Sequence, residues 1–297
     1  MCHMKKRVLL CLLLPLPLLC SCGDGTSQSS PSEESGLSSS DFSSIEESSS
    51  SESSSSFEDP ESKKAAVMAF MEELSSYQDA PTHRVFSGTV LTKYGTGTGE
   101  FIEISASKTG EETLYTESPV GTILVSEGTE TIGEESSAFL SERYVKDDIL
   151  YEITRYDSGE GSKQKVAVTA ENKARYFDLS FASEQILLLS SYLPFIMSPQ
   201  WETSFSFPTL SGDGDYEMSY EAILYTEGLP DQRISYSYSF RVEGGNVVLS
   251  VGHLENVLYL LGEPHQMQCS DIERSYEAKE NGAFAGEILD PDDYPLN

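Results

Sequence analysis

The chain has 297 residues, with 19 basic and 49 acidic side chains and a formal charge of −30. Residues 61–297 hold 16 of the basic and 40 of the acidic groups, so the body itself is at −24. Nucleic acid is a poor partner for such a chain, because phosphate binding needs a basic face. An anionic membrane surface would repel it within about 10 Å, and we read the charge as a solubility feature.

The chain opens with a basic head, Lys5-Lys6-Arg7, and an apolar run from Val8 to Leu19 interrupted by Pro15 and Pro17. This is the layout of a secretory signal. At about a dozen residues the run is too short for a spanning helix, which needs roughly 20. It ends in Leu19-Cys20-Ser21-Cys22. That ending resembles the bacterial lipobox: an aliphatic residue, two small residues, then cysteine, with Cys20 a mild departure. The resemblance implies cleavage before Cys22, a diacylglycerol on its sulfur and usually a further acyl chain on the new amino group. Two or more chains anchor a protein stably, at ~0.8 kcal/mol per buried methylene. The competing reading is an ordinary signal cut near Ser21, without lipid. The expected location is the extracytoplasmic face of the cell membrane, held by the lipid. Once residues 1–21 are gone and Cys22 is acylated, only Cys269 remains, so no intramolecular disulfide is expected.

Residues 22–60 read as the lipidated cysteine and a tether. Of residues 23–60, eighteen are serine, nine are acidic and none is basic. So little apolar surface cannot offset the entropy of ordering, and a flexible coil of this length spans roughly 34 Å. The remaining residues, 61–297, suffice for a single globular domain.

That domain begins with an expected helix. Asp59 is a candidate N-cap, Pro60 suits the first helical position, and Val67, Phe70, Leu74 and Tyr77 form one apolar stripe. Period-two alternation then predicts strands over 84–93, 99–107, 112–118, 121–127, 137–146, 148–157 and 163–170, with Lys108-Thr109-Gly110 among the turn signals. A second helix is expected from Phe181 to Leu193, capped by Ser180 and ended by Pro194. Strands resume at 201–207, 215–226, 233–243 and 246–261, and the acidic tail after Tyr276 reads as irregular. The clearest strand is "ISYSYSFRV", which points Ile234, Tyr236, Tyr238, Phe240 and Val242 to one face.

The fold class is therefore α+β: a large curved antiparallel sheet with an N-terminal helix and one inserted helix. The leading helix "ESKKAAVMAFMEELSSY", the strand "HRVFSGTVLT" after it and the helix "FASEQILLLSSYL" between two strand groups resemble the LolA/LppX-like lipoprotein-carrier superfamily. That resemblance implies a half-barrel wrapped around helices, able to hold a lipid or acyl chain between them. It transfers no residue position by position.

Tyr236, Tyr238 and Phe240 are the candidate ligand-binding residues, as the wall of an apolar cavity. Ordinary core packing against the helices is the competing reading and the safer one. His265 and Cys269, with His253 upstream, fall short of a zinc set and form no distinctive nucleophile pair. Asp213, Asp215, Asp290, Asp292 and Asp293 lack the register of a calcium loop. Gly95, Gly97 and Gly99 lie between strands, where they make a hairpin and not a phosphate cradle. No nucleophile elbow and no metalloprotease motif is present. No metal, cofactor or catalytic residue is expected. The preferred reading is a non-enzymatic, lipid-anchored binding protein for a lipid or other apolar ligand. The alternatives are a structural or regulatory partner of another envelope protein and, behind it, a hydrolase whose site is built from residues distant in sequence.

Overall fold

The computed structural model describes residues 59–77, 80–95, 101–170 and 173–296. Cys22, the signal-like segment and residues 23–58 of the tether lie outside the described residues. The first element is α1 (Pro60–Ser75), where Asp59 caps by accepting from Ser62 N at 3.0 Å. This satisfies one of the four amide groups a helix start leaves without partners.

Six strands follow as a meander: β1 (His83–Gly95), β2 (Phe101–Tyr115), β3 (Ile123–Ile132), β4 (Glu135–Lys146), β5 (Ile149–Tyr156) and β6 (Gly161–Ala167). A short 3-10 turn (Lys173–Phe177) leads into α2 (Phe181–Met197). A second meander completes the sheet: β7 (Trp201–Ser206), β8 (Gly214–Thr226), β9 (Leu229–Glu243), β10 (Asn246–Leu260) and β11 (Glu263–Glu277). The order is β6-β5-β4-β3-β2-β1-β11-β10-β9-β8-β7, every named pair antiparallel. The two meanders thus join where the first strand meets the last, and β6 and β7 are left as the edges of an open half-barrel. The fold is α+β, with one N-terminal and one inserted helix.

Helix α2 crosses the strands inside the half-barrel. Its N-terminal Phe181 packs on Phe240 of β9 with ring centroids 4.7 Å apart, and Glu184 reaches Arg84 of β1 and Arg274 of β11. Near its other end, the Tyr192 hydroxyl lies 2.9 Å from the Ser204 carbonyl of β7 and 2.6 Å from the Glu221 carbonyl of β8. Seventeen residues at 1.5 Å each span about 25 Å, close to the five strand spacings of about 4.8 Å between β1 and β7. Helix α1 packs beside α2, and Val67, Phe70 and Leu74 join its core.

The structure corrects four boundaries. The strands expected at 99–107 and 112–118, around a turn at 108–110, are replaced by the single strand β2 (Phe101–Tyr115). Gly110 stands opposite Gly128 of β3. A Cβ on Gly110 would lie 2.2 Å from the Glu127 carbonyl, and one on Gly128 would lie 2.0 Å from that of Thr109. Glycine here marks two backbones in close approach and not a turn. Strand β3 runs on to Ile132, past the expected end at 127. Helix α2 continues through Pro194 to Met197; the missing amide removes one hydrogen bond, but packing of Tyr192 and Ile196 in the core holds the last turn. Finally, β11 has no expected counterpart. Its buried residues include Gln268, Ser270 and Arg274 beside Tyr276, so polar side chains interrupt the apolar alternation of its inward face.

Candidate functional site

The inward face of the half-barrel is divided. Over β7–β10 it is filled. Tyr238 and Phe240 are buried under Phe181, and Tyr236, half-buried, stacks on Tyr220 at 4.7 Å. Burial pushes the Tyr236 hydroxyl up to about 12 and raises that of Tyr238 further. The three residues expected to wall a cavity therefore belong to the aromatic core between sheet and helices, and they line neither of the two cavities described here.

Over β1–β5 the same face is open and holds a crevice. Beside it the segment before α2 packs on the sheet: Val168, Phe177 and Leu179 pack on Leu124 and Leu150, and the Tyr176 carbonyl accepts from Arg143 Nη1 at 3.1 Å. Glu184, at the start of α2, pairs with two of the lining residues, Arg84 and Arg274. The floor is apolar at Phe86, Leu124 and Ile272, and polar at Ser126 and Ser141. About 50 Å³ of the crevice admits the centres of water-sized molecules, within a hollow of about 630 Å³ that is open to solvent. One water needs roughly 10–15 Å³ on the first measure.

Four basic and two acidic side chains line this crevice: Arg84, Lys108, Arg143 and Arg274 against Glu112 and Glu152. Register explains the pairs. Arg84 stands opposite Glu112 across β1–β2, and Arg143 opposite Glu152 across β4–β5. Arg84 Nε donates to Glu112 Oε2 at 2.6 Å, and Arg84 Nη2 pairs with the same oxygen. Arg84 Nη1 lies 3.5 Å from Glu184 Oε2, and Arg274 Nη1 is 2.8 Å from Glu184 Oε1. Arg143 donates to Glu152 Oε2 from Nε at 3.0 Å and Nη2 at 2.8 Å. Burial alone would push the Glu112 carboxyl up, but Arg84, Arg143 and Arg274 outweigh it and hold it below the usual carboxylate range. Burial works likewise against Arg84, whose pairing with Glu112 and Glu184 raises it further above the range in which it loses its proton. Buried charges persist only when paired this way.

Lys108 is the exception. Its Nζ sits 4.2 Å from the centroid of Phe139. Glu130 stands opposite across β2–β3, yet among the described residues no ion pair within 4.0 Å includes Lys108. A cation over an aromatic face, beside two hydroxyls and an apolar floor, is equipped to meet a negatively charged head group.

The other sequence candidates are dispersed. His253 pairs with Asp271 at 2.7 Å, His265 is exposed, and Cys269 is half-buried on β11, its thiol pushed up by burial. Among the described residues no group of three His, Cys, Asp or Glu side chains is placed to hold a metal ion. Asp213 accepts from Gly245 N, Asp215 pairs with Arg241, and Asp290 accepts from Asp292 N. The crevice residues escaped sequence reading because each is an unremarkable charge in its own strand. The available signal was pairwise: opposite charges at inward positions of adjacent strands.

No family model and no curated protein matches the chain. Among solved structures, the chain is similar to a LolA superfamily protein from Nitrosomonas europaea, at 11% identity and a TM-score of 0.17, over 73% of this chain and 94% of that one. It is also similar to the translocator domain of the autotransporter NalP from Neisseria meningitidis, at 11% identity and a TM-score of 0.18, over 73% and 96%. Likeness this low carries no argument, and the fold stands on its own strand pairing.

Proposed function

We propose that this is a non-catalytic, lipid-anchored binding protein of the extracytoplasmic membrane face, whose half-barrel holds an amphiphilic, lipid-like ligand with an acidic head. The observation that carries the reading is the crevice over β1–β5, where an apolar floor meets Lys108 and two serine hydroxyls. The head would take Lys108 and the hydroxyls of Ser126 and Ser141. The apolar body would lie on Phe86, Leu124 and Ile272, each buried methylene contributing about 0.8 kcal/mol. Arg84, Glu112, Glu184 and Arg274 act as a fixed polar frame that keeps the crevice from collapsing. The lipobox-like ending at Cys22 supports the anchor, and the serine-rich tether carries the body clear of the bilayer.

Two measurements test this. Native mass spectrometry of the Cys22→Ser chain should show a bound species that organic extraction releases and that Lys108→Ala diminishes. A ligand-free spectrum of that chain, together with no binding of added fatty acid, would refute the binding role. Separately, the wild-type chain should fractionate with membranes and carry acyl mass on its first peptide, and Cys22→Ser should abolish both.

A second reading, an interaction protein of the envelope, is favoured by one feature. The end of β1 and start of β2 lie on the same rim of the sheet as the β8–β9 and β10–β11 turns. Phe101, Ile102, Tyr225, Leu229, Leu258, Leu260 and Leu261 are exposed there. Leu261 is 86% exposed with φ 53°; at a position that favours glycine or asparagine, an exposed leucine serves no folding purpose. Glu227, Asp231 and Glu263 flank these tips, so the fitting partner is an apolar protein surface edged with basic groups. If Leu261→Asp abolished association with a membrane protein while ligand mass remained, this reading would stand beside the first.

A further inference from the structure

The convex face of the sheet holds a second cavity, roofed by the C-terminal segment. Phe284 N donates to the Glu117 carbonyl at 2.8 Å, the Tyr144 hydroxyl donates to the Leu289 carbonyl at 2.8 Å, and Lys163 N donates to the Pro295 carbonyl at 2.9 Å. Between this strap and β2–β5 lies a space of about 480 Å³, within the range of small-molecule sites.

Its lining is the electrostatic opposite of the crevice. Glu111, Glu127, Glu142, Glu287, Asp290 and Asp293 face a single cation, Arg155. Glu111 and Glu127 are directly opposed across β2–β3, an arrangement that repels. His83 Nε2, 3.0 Å from Glu111 Oε2, does most to hold Glu111 below the usual carboxylate range, with Lys279 and a side-chain hydrogen bond to Glu127 adding to it. Glu142 is fully buried: its Oε2 accepts from Leu289 N at 2.8 Å, while its Oε1 has no hydrogen-bond partner. A buried carboxylate oxygen left this way is the second observation, independent of the acidity, that points to a ligand. The walls are aromatic as well, with Tyr115 and Phe284 tilted against each other at 5.3 Å and Tyr294 beside them. The carboxylates are spread around the cavity and do not converge on a point: among the described residues no three are placed for a metal ion. A dispersed negative lining with ring faces suits a larger, softer cation.

We propose that the cavity under the C-terminal strap binds an organic ammonium ion, with its N–H groups donating to Glu142 Oε1, its charge balanced by Glu111 and Glu127, and its apolar body against Phe284 and Tyr294. The site lies on the face opposite the crevice and stands whether or not the crevice binds a lipid.

Isothermal titration of the Cys22→Ser chain at low salt with phenethylammonium, and with neutral 2-phenylethanol of the same shape, tests it. Saturable binding of the amine, at least about tenfold tighter than the alcohol, is expected. Glu127→Gln, which leaves the buried Glu142 bond in place, and Phe284→Ala should each weaken the amine by about tenfold. Glu142→Gln should do so too, with its fold checked by circular dichroism. No saturable binding, equal affinity for the alcohol, or affinity unchanged in Glu127→Gln and Phe284→Ala would overturn the proposal. Stoichiometric displacement of the amine by calcium would overturn it in favour of a metal site.

Discussion

The two halves of the inward face obey the same alternation and do opposite things with it. Over β7–β10 the inward residues are largely aromatic or apolar and meet a helix, giving ring contacts such as Phe181 on Phe240 at 4.7 Å and Phe195 on Trp201 at 4.5 Å. Over β1–β5 charged, hydroxylated and glycine residues are mixed with the apolar Phe86, Leu124, Phe139 and Leu150, and α2 reaches only their border. Helix α2 ends its crossing at the border, where Glu184 reaches the two arginines. The difference teaches that the sheet alternation sets which residues point inward, while the crossing helix sets which of them become core.

The sharpest break in that border is Arg84→Met. It strands Glu112 in a buried site and should cost about 3–5 kcal/mol in urea denaturation at pH 7, whereas Arg84→Met with Glu112→Leu should recover most of the loss. A single variant as stable as wild type would mean the ion network is not buried as described. Phe181→Ala probes the filled half; losing the contacts to Phe240 and Tyr238 should cost about 3–5 kcal/mol and leave ligand binding at the crevice in place. Gly128→Ala sharpens the comparison from the open side. Its Cβ would meet backbone at 2.0 Å, which cannot yield as a side chain does, so a loss of about 1–3 kcal/mol is expected. Ser180→Ala removes the hydroxyl that accepts from Ser183 N at the start of α2, for about 1 kcal/mol.

The smallest effect is opposite in sign. Burial raises the Glu142 carboxyl above its ordinary 4.5, so the folded state favours its protonated form. Stability from this group is greatest below the unfolded value and falls as pH rises through the folded one. Glu142→Gln should therefore raise the melting temperature near pH 7.5, with the gain vanishing near pH 4. Glu112 behaves conversely: its depressed carboxyl contributes stability above the unfolded value that is lost as pH falls through the folded one. A gain in Glu142→Gln that persisted at pH 4 would point to packing instead of charge.

Most of the architecture was legible in the chain. The N-cap at Asp59, the alternation of "ISYSYSFRV" and the start of α2 at Phe181 are local signals, set by capping and period, and all three appear where expected. Strand β11 was not legible, because its inward Gln268, Ser270 and Arg274 break the apolar alternation. The long β2 was not either, because Gly110 mimics a turn. The crevice was illegible for a related reason: Arg84 and Arg274 are 190 residues apart in sequence and share Glu184 only because the first and last strands pair.

By itself, the sequence determined most of the elements, their faces and the acidity of the body, since these depend on short-range geometry and composition. The tertiary structure alone decided that Tyr236, Tyr238 and Phe240 are packing, that the open half holds the crevice, and that the acidic tail roofs a cavity on the far side. Which surfaces lose water depends on long-range contact, and no local pattern encodes it.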